Sequence, residues 1–136
     1  MPANTSPIFP LAPIVGIATL TSATAITSRA NITGTTGLTQ LTATSTNGTR
    51  IDAITITAKG TTVANTVDIW IYNGTTSYLF AEIAVSAVTP STTTASFTTT
   101  QTFNNLTLPP TYQLYISEQV GTTSADFNIY ALGGTY

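Results

Sequence analysis

One side-chain class outweighs all others in this chain. Thr fills 33 of 136 positions, and with 13 Ile and 6 Val the β-branched residues number 52. Glu, Lys, Arg, Gln and Met, the straight-chain helix formers, together supply 10. Branched side chains lose rotamer freedom against the preceding turn of a helix but pack well on a pleated surface. The chain is therefore expected to be all-β. Its length suits one domain, and a hydrophobic content of 42% is enough to build a core despite the Thr tracts.

The missing residue types narrow the chemistry. There is no Cys and no His, so disulfides, thiolate nucleophiles, cysteine zinc sites and imidazole acid–base catalysis are excluded. The cations are Arg29, Arg50 and Lys59, too few and too scattered to neutralise a phosphate backbone. Nucleic acid is not an expected partner. No run of apolar residues reaches the length of a membrane helix, and a membrane is not an expected partner either. The acids are Asp52, Asp68, Glu82, Glu118 and Asp126. Asp68 and Glu82 fall on adjacent expected strands with the same facing, but five acids in a small domain bring some pair together without catalytic meaning. No catalytic, cofactor or metal residues are expected, and no enzymatic activity.

Pro2, Pro7, Pro10 and Pro13 hold the first segment away from helix, so residues 1–16 are expected to form an extended arm. Its apolar side chains, Ile8, Phe9, Leu11, Ile14 and Val15, need another surface to bury them, either that of the same domain or that of a neighbouring subunit. Residues 17–136 then read as the folded domain. Short alternating runs at 17–27, 38–45, 50–58, 66–73, 77–88, 95–103, 112–119 and 125–132 are broken by Gly, Asn, Ser and Pro, with Asn47-Gly48 and Asn73-Gly74 as the strongest turn signals. About eight strands at this spacing predict an antiparallel β-sandwich, jelly-roll or immunoglobulin-like in order.

Period-two alternation assigns the faces. Val67, Ile69 and Ile71, then Leu79, Ala81, Ile83 and Val85, then Leu114 and Ile116, and Phe127, Ile129 and Ala131 are expected to make the core with Ile54 and Ile56. That leaves Trp70, Tyr72, Tyr78, Phe80, Tyr115 and Tyr130 pointing away from it. A surface of such rings is a candidate protein interface, since Trp and Tyr give large rigid contact area with a polar tip. Stacking on sugar rings is the alternative use.

The stretches RIDAITITA (50–58), ANTVDIWIYNGTTSYLF (64–80), LTLPPTYQLYIS (106–117) and ADFNIYALGGTY (125–136) occur in an order that resembles small virion proteins of tailed bacteriophages. The resemblance covers roughly residues 50–136. It implies a β-sandwich with a structural role: a capsid decoration (cement) protein on the virion surface, homotrimeric and docked on the major capsid protein. A tail or fibre component, or a glycan-binding receptor module, is the alternative. The resemblance supplies no catalytic residues. Where such proteins end in Gly-Gly-Asp-Tyr, this chain has Gly133-Gly134-Thr135-Tyr136.

Overall fold

The computed structural model describes residues 13–21, 25–121 and 125–136. Nine strands run through them: β1 (Ile14–Leu20), β2 (Ile32–Thr33), β3 (Thr39–Gln40), β4 (Thr49–Ala58), β5 (Asn65–Tyr72), β6 (Thr76–Val85), β7 (Thr98–Leu108), β8 (Gln113–Glu118) and β9 (Phe127–Thr135). They form a four-stranded sheet ordered β1-β9-β4-β7 and a five-stranded sheet ordered β2-β6-β5-β8-β3. Every pairing is antiparallel, and the two sheets pack as a sandwich. The chain changes sheet after β1, β3, β4, β6, β7 and β8, so most pairings are distant in sequence.

The core follows the aliphatic alternation. Ile51, Ile54, Ile56 and Ala58 from β4 meet Val67 and Ile69 from β5, with Leu114 and Ile116 from β8 and Phe127, Ile129 and Ala131 from β9. Each fully buried Ile or Leu contributes about 1.5–3 kcal/mol before entropy is counted. Ile51 and Ile54 are three apart, which strict alternation forbids on one face. A bulge at Asp52 absorbs the extra residue, and both β7 and β9 shift register there.

Asn73-Gly74 makes the expected β5–β6 hairpin turn. Asn73 Oδ1 accepts from the amides of Thr75 and Thr76 at 3.0 and 2.9 Å, and Gly74 has φ 100°. Asn47-Gly48 does not join two paired strands. Gly48, at φ 98°, leads into β4 after the chain has left the other sheet. The run expected at 38–45 reduces to the two residues of β3, while β2 was not foreseen. β1 begins at Ile14, so the last three residues of the expected arm are strand, paired with β9. Ile8, Phe9 and Leu11 lie outside the described residues.

Candidate protein-contact surfaces

The two outward faces of the sandwich differ in what lies on them. On the five-stranded sheet, register places Asp68, Trp70 and Tyr72 of β5 opposite Glu82, Leu79 and Ser77 of β6, and Asp68 and Trp70 opposite Ser117 and Tyr115 of β8. Residues 25–38 run over this face. Ile26 N–H donates to the Glu118 carbonyl at 2.9 Å, Arg29 pairs with Glu82 at 2.6 Å, and Ser77 Oγ donates to the Gly34 carbonyl at 2.7 Å. Beneath them Trp70 is 0% exposed and its Nε1–H donates to Ser117 Oγ at 2.9 Å.

The expectation of one exposed aromatic face is therefore corrected. Trp70 points out of the sandwich core as expected but is covered, with its polar tip satisfied. Tyr72 and Tyr115 are half-buried beside it and meet edge to face at 5.6 Å. Tyr78 and Phe80 are exposed, but a bulge between Ile69 and Trp70 shifts the β5–β6 register and turns β6 over. Tyr78 then sits opposite Ile71 on the core side, and Leu79 opposite Trp70 on the outer side. Phe80 reaches Phe103 of β7 at 5.7 Å, closing one flank of the sandwich. Tyr130 lies on the other sheet altogether, opposite Thr55 of β4. With Trp70 covered, its fluorescence is expected to be blue-shifted and indifferent to added sugars; a sugar-dependent shift in emission would restore the stacking use.

Asp68 and Glu82, expected on adjacent strands with the same facing, pair directly across β5 and β6. Burial pushes the Asp68 carboxyl up to about 6, and the Glu82 charge adds to this. A hydrogen bond from Gln119 and the charge of Arg29 act the other way. Glu118 faces the opposite side of the same sheet, with Val67, at the end of the core. Asn65 Nδ2 donates to its Oε2 at 2.9 Å, but burial outweighs that bond and pushes the carboxyl up to about 7, with Asp126 adding to the rise. Among the described residues no pocket opens on either acid, and no group of three potential metal ligands forms.

Among the described residues, no segment crosses the outward face of the four-stranded sheet. β1 presents Ile14, Ile17 and Thr19. Beside it β9 presents Leu132, Tyr130 and Asn128, then β4 Ala53, Thr55 and Thr57, then β7 Thr102, Thr100 and Thr98. None of these twelve carries a charge. Ile14 and Ile17 are 49% and 62% exposed, the largest apolar exposures on this face. Hydroxyl contacts tie the polar end together: Thr55 to Thr100 at 2.9 Å, Thr57 to Thr98 at 3.1 Å, and Thr19 to Asn128 at 3.0 Å. At the margin Arg50 and Asp52 neutralise each other at 3.0 Å. Ile14 and Val15 both belong to the expected contact set; Ile14 is exposed, whereas Val15 sits at a bulge in β1 and packs against the core. Alternation places Ile17 in a strand but cannot tell that the outward side of β1 is bare.

The fold and this bare face define an antiparallel two-sheet β-sandwich whose four-stranded sheet has an uncharged outward face. No family model, curated protein or solved structure matches the chain.

Proposed function

We propose that this protein is a structural assembly component that decorates and stabilises a phage-type capsid, docking on the major shell protein. The observation that carries the reading is the outer face of the four-stranded sheet, with Ile14 and Ile17 standing in solvent on an uncharged surface. Large apolar side chains exposed together on one sheet face favour contact with another protein, and the absence of charge means that docking strands no unpaired ion. The position of β1 supports the same reading. β1 lies on this face and follows Ile8, Phe9 and Leu11 in sequence, apolar residues that we take to seat on the same partner. The resemblance of residues 50–136 to small virion proteins supplies the class of partner. Repetition over a shell multiplies modest contacts through avidity.

The test is co-sedimentation with shells that lack the protein. Burying one Ile is worth about 1.5–3 kcal/mol, so Ile17→Asp is expected to weaken binding by roughly tenfold or more. Deletion of residues 1–12 is expected to weaken it independently. Wild-type affinity in both variants, or no affinity of the intact chain for any shell, would overturn the proposal.

A further inference from the structure

We infer that the free edge of β7, over Thr98–Thr102, pairs antiparallel with the same edge of a second copy of this chain. The four-stranded sheet would thereby continue as β1-β9-β4-β7-β7-β4-β9-β1 across a two-fold axis. β7 is the longest strand, 11 residues, and among the described residues β4 is its only strand partner. Its other side presents a row of backbone donors and acceptors. Such an edge is a template for strand addition unless it is blunted by charge, proline or a bulge. Thr98–Leu108 contains no charged residue and no proline. It does contain one irregularity: Thr102 and Leu106 face Ala53 and Ile51, so three β7 residues stand where β4 has only Asp52, and Asn105 takes φ 60°. That distortion spoils the second half of the edge and leaves the first half, TTTQT, regular.

The occupant follows from the sequence of that half. An isologous two-fold pairs each residue i with j and j with i. Centring the axis on Thr100 puts Thr100 opposite Thr100, Thr98 opposite Thr102, and Thr99 opposite Gln101. The outward pairs are then all Thr–Thr, the chemistry that β7 already uses toward β4 at Thr55–Thr100 and Thr57–Thr98. A hydroxyl both donates and accepts, so a Thr ladder is complementary to itself, and cross-strand Thr pairs stabilise a sheet. Thr98, Thr100, Gln101 and Thr102 are all exposed, so nothing need unfold to admit the partner. The amide of Gln101, which donates to the Thr102 carbonyl at 3.1 Å, has only to swing aside. The leader of another copy is a poorer occupant. Its prolines at 2, 7, 10 and 13 interrupt the donor row that a paired strand needs.

This inference is independent of shell binding, and its test needs only the isolated chain. In sedimentation the wild type is expected at about twice its 14.1 kDa monomer mass. Thr100→Lys places two like charges on the axis and is expected to give the monomer. So is Thr100→Glu, and an equimolar mixture of the two is expected to recover the dimer. Ile17→Asp, on the open face, is expected to leave the dimer intact. Hydrogen exchange on the wild type gives a reading that needs no variant: amides of residues 98–102 are expected to gain protection as concentration rises, while those of β1 do not. A wild-type monomer, a trimer, a dimer that survives Thr100→Lys, a mixture that stays monomeric, or exchange at 98–102 that ignores concentration would each overturn the inference.

Discussion

Raising the pH from 5 to 8 is expected to lower the thermal midpoint of this protein by roughly 10–15 °C. Asp68 and Glu118 are both 0% exposed, and burial pushes their carboxyls up to about 6 and about 7. In the unfolded chain both return to the ordinary range near 4. Between those values the folded state holds protons that the unfolded state has released, so the contribution of these two groups is full below about pH 4 and is lost as pH rises through 6 and 7. Each pKa unit is worth about 1.4 kcal/mol. From pH 5 upward, Glu118 spans about two units and Asp68 about one, for a loss of roughly 4 kcal/mol. For a domain of this size that converts to the stated shift in midpoint. The slope runs opposite to ordinary acid denaturation, in which paired carboxylates lose stability as they protonate. Glu118→Gln is expected to flatten the curve between pH 5 and 7, and Asp68→Asn the part below 6. Melts followed by circular dichroism check this, and a midpoint that holds or rises from pH 5 to 8 would refute the account. Glu118 Oε1 and Asp68 Oδ1 are also buried without a hydrogen-bond partner. Ionising either group strands a charge that protonation removes.

The sandwich was legible because alternation in β5, β8 and β9 is nearly strict and Val67, Ile69, Leu114, Ile116, Phe127 and Ile129 all face inward as read. The departures have a common cause. Period two specifies a side only until a bulge inserts a residue. At Asp52 the bulge recovers Ile51 for the core, and at Phe80 it exchanges the sides of Tyr78 and Leu79. Trp70 shows a different limit. Its side was read correctly, but what lies over that side is a tertiary fact: residues 25–38 cross from β8 to β6 and return to β8. Nothing local to VDIWIY signals that cover. The bare outer face of the other sheet was hidden for the same reason. Thr and Ile alternate there as they would beneath a lid, and Ile17 stands in solvent because none of the described segments crosses it.

Gly133→Ala is expected to prevent the protein from accumulating in its folded form. Gly133 lies opposite Ile51 in the β4–β9 pairing, beside the bulge at Asp52. A Cβ there would stand 1.9 Å from the Arg50 carbonyl oxygen and 3.0 Å from Ile51 Cα. Both are backbone atoms of the central strand, so no side chain can swing away to relieve the contact. Relief requires β4 and β9 to part where Ile51 enters the core, or the bulge to be lost, and losing the bulge slips the register of Ile51 against Ile54. Either route disrupts several buried Ile contacts, against a total stability of only about 5–15 kcal/mol. Gly74→Ala is the matched comparison. Gly74 sits at φ 100° with no atom within 4 Å of an added Cβ. Only the left-handed backbone penalty of about 1–2 kcal/mol applies there, so a folded protein with a modestly lower midpoint is expected. Soluble yield and urea midpoints of the two variants decide the matter. A Gly133→Ala protein as stable as Gly74→Ala would mean that the β4 bulge yields easily, and that the close approach of β9 to β4 is not what holds Ile51 in the core.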